Sequence, residues 1–360
     1  MSHRIVVGVL LAVALAGGGL ILYFLDLGKT VSVGRETMVQ ERQTEMQDKK
    51  EATPKRFAIN PLTGESCGEG DRRPLAVMLG ADHVARPLFG ISQADVVVEM
   101  PALTNGITRY MALFGCEQPE EIGSVRSARH DFLPFAKSFD AIFAHWGGSY
   151  LALDILKTGV IDNIDSIKNP FDAFWRKNDR LAPHNGFTSF AGLLNAAEKL
   201  NYRTAGTTTK GYVHIKGESA LDVDQNIFLG YPRPYQVDFV YDHAANSYRR
   251  WRGGEKETDG ATGGQVEVKN VLVMVAASQQ VNADYNEVDV EGEGNLTLYR
   301  NGEVIKGRWK RAKEMYGGET EQSDNKYYFL DVSGKEIGLV EGKIWVSIVQ
   351  PNQKVELTLK

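Results

Sequence analysis

Leu75-Ala76-Val77-Met78-Leu79 and Asp95-Val96-Val97-Val98-Glu99-Met100 decide how this chain folds. Each is a short apolar run without polar alternation, as expected of a strand buried on both faces. Tyr110-Met111-Ala112-Leu113-Phe114 and Ala141-Ile142-Phe143-Ala144-His145 repeat the pattern, the last running into Gly147-Gly148. Helical spacing lies between and after them. Phe132, Phe135, Ala136 and Phe139 share a face within Arg129 to Phe139. Ser149 is placed to N-cap a helix carrying Leu151, Ile155 and Leu156 on one side. Phe187 to Leu200 presents Leu193, Leu194, Ala197 and Leu200 inward. Strands mixed with helices predict an α/β domain over residues 57–205, with the strand order left open.

Beyond residue 205 the texture changes. Tyr235 to Tyr241 alternates apolar and polar residues, His243-Ala244-Ala245-Asn246 is turn-like, and Tyr248 to Trp251 returns. Val271 to Val275, Leu296 to Tyr299, Tyr327 to Leu330 and Ile344 to Val349 add strands, with Asn301-Gly302 and Ser333-Gly334 as hairpin turns. Residues 206–360 are therefore predicted to form a β-rich domain.

At the other end, Ile5 to Leu25 is a run of 21 uncharged residues. At about 1.5 Å rise per residue it is long enough to cross a bilayer as one helix. Only the amino terminus, His3 and Arg4 precede it, so the short positive side is expected in the cytoplasm and the bulk outside. The expectation is a membrane anchor over 1–28. A cleaved signal peptide is the alternative, through Ala14-Leu15-Ala16, although Leu20 to Leu25 carries the apolar run past that point. No cysteine lies nearby to carry a lipid. Residues 29–56 are polar, with charged Glu41 to Lys55 unable to bury a core, and read as a stalk.

The net charge of −5 gives no support for a nucleic-acid partner, which needs a concentrated basic face. Cys67 and Cys116 can pair outside the membrane or remain free thiols. No H-E-x-x-H or C-x-x-C occurs, so no metal site is expected. The absence of a Walker loop and of a dinucleotide fingerprint leaves no cofactor expected.

The chemistry-bearing signal is a series of loop arginines. Arg86 precedes Pro87, Arg109 opens a strand, Arg126 and Arg129 flank Ser127, and Arg176 and Arg180 precede Ala182-Pro183-His184-Asn185. A guanidinium offers a planar fork to carboxylate or phosphate, and several such loops at one sheet edge make an anion pocket. Each arginine alone has the blander role of a solvated cation or a partner for Asp95, Glu99 or Asp140. Glu99 ends an apolar strand, where a raised pKa suits a general acid for glycoside cleavage. Asp95 lies about 13 Å away by strand rise, beyond the usual spacing of a glycosidase pair. An ion-paired structural carboxylate is the alternative for Glu99, and a hydrogen-bonded loop residue the alternative for His184.

Arg86-Pro87, Ser92 to Glu99, Gly106-Ile107-Thr108-Arg109, Gly123 to Arg129, Ala141 to Ser149 and Ala182-Pro183-His184-Asn185 occur in order. With Tyr241-Asp242, Tyr248-Arg249, Asn301-Gly302 and Gly342 to Trp345, this set resembles the YerB-like family of exported bacterial proteins, a domain of unknown function. The resemblance covers most of residues 60 to 350. It implies a two-part exported protein attached to the membrane, and an apolar segment here stands where many relatives have a lipid-modified cysteine. It supplies no reaction.

The leading expectation is a cell-envelope protein binding an anionic glycan or phosphorylated ligand. Arg86, Arg109, Arg126, Arg129, Arg176 and Arg180 are the anion contacts, and His184 and Asn185 orient the ligand. A wall-glycan enzyme using Glu99 or Asp95, with His184 as acid or base, is the second. A structural ectodomain that meets another membrane protein through Tyr231 to Tyr235 and Trp251 is the third.

Overall fold

Alternate residues of the apolar runs leave their strands on opposite sides, and both sides are covered. In the computed structural model, which describes residues 58–104, 106–311 and 325–359, Val77, Leu79, Val97 and Ala112 pack on one face. Ala76, Met78, Val98, Leu113 and Phe143 pack on the other. This double burial is why these runs lack polar alternation.

They lie in a ten-stranded sheet. Its order is Tyr328–Asp331, Glu303–Arg311, Gly292–Arg300, Asn270–Val275, Ile344–Val349, Val96–Pro101, Thr108–Phe114, Leu75–Gly80, Ile142–His145 and Asn163–Asp165. Ile344–Val349 is parallel to both its neighbours, with Trp345 opposite Val97 on one side and Val271 on the other. The α/β and β-rich segments thus share one sheet, and residues 57–360 form one compact unit.

Two layers cover the sheet. On the face of Val77 and Val97 lie the helix Phe190–Lys199 and a six-stranded antiparallel sheet built on Gln225–Leu229, Val237–Asp242, Ser247–Arg252 and Val355–Leu359. On the other lie the helices Leu133–Ser138 and Tyr150–Leu156. The sequence signals hold locally. Ser149 caps its helix by accepting a hydrogen bond from the Ala152 N–H at 3.2 Å. Asn301 and Gly302 take φ of 53° and 77°, as a tight hairpin between Gly292–Arg300 and Glu303–Arg311 requires. Phe187 to Thr188 proves to be strand, so the following helix begins at Phe190 and not at Phe187. Tyr231 is core: it is 1% exposed and its hydroxyl donates to the Ile348 carbonyl at 2.8 Å.

The expected anchor and stalk lie outside the described residues. Among the described residues no helix is long and apolar enough to cross a membrane.

Cys67 and Cys116 form a disulfide, closing a loop with a sequence separation of 49. It joins the first strand pair, Ala58–Ile59 with Ser66–Cys67, to the segment after Thr108–Phe114. Asp95 reinforces the junction by accepting from the Gly115 N–H at 2.6 Å, the Cys116 N–H at 3.1 Å and Asn60 at 3.2 Å. Burial pushes its carboxyl up to about 6 despite those donors.

Glu99 faces the second sheet and is fully buried. Arg250 donates to its Oε2 at 2.6 Å, Arg252 bonds its Oε1, Thr108 donates to Oε1 at 2.9 Å and the Trp345 indole reaches Oε2 at 3.3 Å. Arg250 also pairs with Glu257, which accepts from the Tyr110 hydroxyl at 3.1 Å. Burial alone raises the Glu99 carboxyl, but Arg250 and Arg252 together hold it below its ordinary value.

Two stability predictions follow from these junctions. Replacing both cysteines by serine should lower unfolding free energy by up to about 4 kcal/mol in the chain-entropy picture, read from urea melts with and without reductant. Glu99→Gln leaves the buried Arg252 without its counter-charge and Arg250 with Glu257 alone, and should cost about 3–5 kcal/mol at pH 7. Because the folded-state pKa of Glu99 is depressed, its contribution is complete above the ordinary carboxylate value and vanishes as the pH falls through the folded value. Melts of wild type and variant should therefore converge in acid; a pH-independent gap contradicts this account.

Candidate functional site

Arg109 opens the strand Thr108–Phe114 and stands opposite Gly80, the last residue of the neighbouring strand. The segment 123–128 crosses these strand ends. It is tied down by Arg126 N–H to the Met78 carbonyl at 2.8 Å, Val125 N–H to Gly186 at 2.7 Å and Trp146 N–H to Arg126 at 3.0 Å. These bonds fix Arg126 and Arg129 beside Arg109. A Cβ at Gly80 would stand 3.0 Å from Arg126 Cγ and 3.2 Å from Asp82 Oδ2, so the absent side chain makes room for both.

Arg109 is 4% exposed, and Arg126 and Arg129 are half-buried. Their own bonds are sparse. Arg109 reaches the Ser127 carbonyl at 3.4 Å and Arg129 the Ala128 carbonyl at 3.1 Å, while Arg126 has Asp82 at 3.9 Å. Arg109 Nε, Arg126 Nε and Nη1 and Arg129 Nε are buried and donate no hydrogen bond among the described residues. Burial and the neighbouring charges of Arg129 and Arg126 bring the Arg109 guanidinium down to about 9. Burial also lowers Arg129. Buried donors without acceptors and neighbouring like charges are both costly, and such costs concentrate at functional sites.

His184 stands at the same place, its Nδ1 3.8 Å from Asp82 Oδ2. Its pKa is depressed by burial, with Arg126, Arg109 and Arg180 adding to the effect against the pull of Asp82. Four sequence candidates, Arg109, Arg126, Arg129 and His184, therefore converge, and Asp82 joins them. Asp82 carries no motif of its own. Its signal is only its place in the turn after a buried strand, beside Gly80.

The other candidates have partners of their own. Arg180 donates to the Ala85 carbonyl at 3.0 Å and the Pro87 carbonyl at 3.4 Å, tying loop to loop. Arg86 spans to the Arg252 and Ala81 carbonyls at 3.4 and 3.5 Å and lines a separate cavity of about 200 Å³ with His83, Glu255 and Glu257. Arg176 donates to Asn185 Oδ1 at 2.6 Å and covers the Trp146 ring at 4.3 Å, while Asn185 returns a bond to the Lys177 carbonyl at 3.1 Å. These two brace the loop. Glu99 and Asp95 are both sealed in the interior, where no substrate oxygen can meet them, so neither is positioned as the acid of a glycosidase. His145, in the turn singled out from sequence, is fully buried and bonds the Gly147 carbonyl at 2.8 Å. Among the described residues no group of His, Cys, Asp and Glu side chains forms a metal site.

Like-charge strain in the cluster has a measurable consequence. Arg109→Met, which keeps the apolar stem, should raise stability by up to about 1 kcal/mol at low salt. The gain should shrink in 1 M salt as screening removes the repulsion. A loss of stability in both salts contradicts the assignment of net repulsion.

Comparison with known proteins bears on the whole chain. Residues 62–203 match the N-terminal domain, and residues 227–346 the C-terminal domain, of a family described as a protein of unknown function, DUF3048. A protein of Bacillus subtilis (strain 168), YerB, named as a candidate lipoprotein, is 32% identical over 296 residues, covering 80% of this chain and 85% of its own. The crystal structure of Bacillus subtilis YerB aligns with a TM-score of 0.72 at 30% identity, covering 83% of this chain and 99% of that one. The chain belongs to the DUF3048, or YerB-like, family, with both of its domains present.

Proposed function

We propose that this protein is a membrane-attached, extracytoplasmic component of the bacterial cell envelope that binds an anionic glycan or phosphorylated ligand through Arg109, Arg126 and Arg129. The observation that carries the binding reading is the set of buried guanidinium N–H groups of Arg109, Arg126 and Arg129 that lack acceptors. An anion placed there accepts those bonds and offsets the repulsion. His184 stands at the edge as a further polar contact. The location rests on the relative named as a candidate lipoprotein and on the uncharged stretch from Ile5 to Leu25. The enzymatic alternative has less support, because Glu99 and Asp95 are occupied in structural roles.

The test is titration of the full-length protein with defined anionic glycan fragments. Charge-assisted hydrogen bonds contribute about 1.5–3 kcal/mol each, so Arg126→Ala/Arg129→Ala should weaken binding more than tenfold. Binding should also fall with ionic strength. Equal affinity in wild type and double variant sinks the assignment.

A further inference from the structure

The arginine cluster has an aromatic border. The Arg129 guanidinium lies over the Tyr285 ring, 5.3 Å from its centroid, and Tyr285 meets Tyr150 edge to face at 5.7 Å. The backbone fixes this neighbourhood. Ser149 N–H donates to the Ala128 carbonyl at 3.1 Å, and Ala128 and Gly148 form a bridge, so the turn that carries Tyr150 is held beside Arg129. Tyr150 is nevertheless 52% exposed, and Tyr285 is half-buried. An exposed aromatic next to unsatisfied buried donors suits a ligand with an apolar ring face on one side and an anion on the other.

The number of free donors selects the anion. Four buried N–H groups of Arg109, Arg126 and Arg129 lack acceptors. A carboxylate offers two oxygens, and a phosphodiester two unbridged ones. A phosphomonoester offers three strong acceptor oxygens, with about −1.5 to −2 charge at neutral pH. Of these three anions it satisfies the most of those donors.

Building on the anion-binding reading, we infer that the ligand is a sugar phosphomonoester, its phosphate held by Arg109, Arg126 and Arg129 and its sugar ring set against Tyr150 and Tyr285. The aromatic border supplies what the arginines lack, a means of telling a phosphorylated saccharide from inorganic phosphate.

The experiment is calorimetric titration of the full-length protein with inorganic phosphate, acetate, N-acetylglucosamine 1-phosphate and vesicles containing phosphatidylglycerol, a diester. Wild type should bind phosphate over acetate, and the sugar phosphate about tenfold more tightly than phosphate, the size expected of one aromatic contact. Tyr150→Ala removes an exposed ring and should erase that tenfold advantage while leaving the affinity for inorganic phosphate unchanged. Arg126→Ala/Arg129→Ala should weaken both. If Tyr150→Ala leaves the sugar phosphate as tight as before, the saccharide assignment is overturned while anion binding stands. Vesicle binding without sugar-phosphate binding overturns the monoester. If wild type binds none of the anions, the anion-binding reading itself fails.

Discussion

Glu99, held between Arg250 and Arg252 in the space separating two sheets, is the contact on which the rest of this fold depends. The carboxylate comes from the middle of the ten-stranded sheet and the guanidiniums from Ser247–Arg252 of the second. Arg250 and Arg252 are two residues apart on a strand, so both point inward together. A one-residue slip of that strand turns both outward and leaves Glu99 buried without a counter-charge. The ion group therefore fixes how the second sheet docks. Its influence extends outward, because Arg86 reaches back to the Arg252 carbonyl and to Ala81, next to Asp82. The loop that presents Asp82 to the candidate site is braced from this core.

The same residue type serves two ends in this molecule, and charge balance separates them. Between the sheets, Arg250 and Arg252 face Glu99 and Glu257, and the group is closed by Thr108, Tyr110 and Trp345. Nothing is left for a ligand to do. At the strand ends, Arg109 and Arg126 face Asp82, Arg129 has Asp131 and Asp284 nearby, and all three keep unused donors. Gathering Arg126 and Arg129 beside the buried Arg109 disfavours its charge and leaves donors unused, which is a cost in the free protein. In the proposed reading an anion turns that cost into affinity, since the charges are already held in place.

Much of the local structure could be read from sequence, and the reason is burial. The runs at Leu75, Val96, Tyr110 and Ala141 are apolar on both faces because layers cover both sides, and Asn301-Gly302 has one favourable use between strands. Partners were not readable. Ile344–Val349 inserts beside Val96–Pro101, and Arg250 is 151 residues from Glu99. No periodicity encodes such pairings, so Glu99 had the same appearance as a desolvated acid waiting for a substrate. Arg109, Arg126 and Arg129 meet because turns at strand ends bring their loops together. Arg86, Arg176 and Arg180 looked alike in sequence, but carbonyls and Asn185 engage them, and backbone acceptors leave no trace in residue identity. Tyr150 and Tyr285 lie far apart in the chain; the Ala128–Gly148 bridge holds the first near Arg129, and the bond from Val288 N–H to Asp131 holds the hairpin that carries the second.

The strand Thr108–Phe114 relates the candidate site to the place where the chain enters the folded unit. Arg109 is at its first turn of the pleat, and Gly115 and Cys116 follow its last residue. At roughly 3.3 Å per residue, about 20 Å of strand separates the two ends. At the far end the Cys67–Cys116 disulfide, Asp95 and Asn60 secure the first strand pair. The disulfide junction and the arginine cluster therefore lie at opposite ends of a strand that is covered on both faces, and that burial holds them a fixed distance apart.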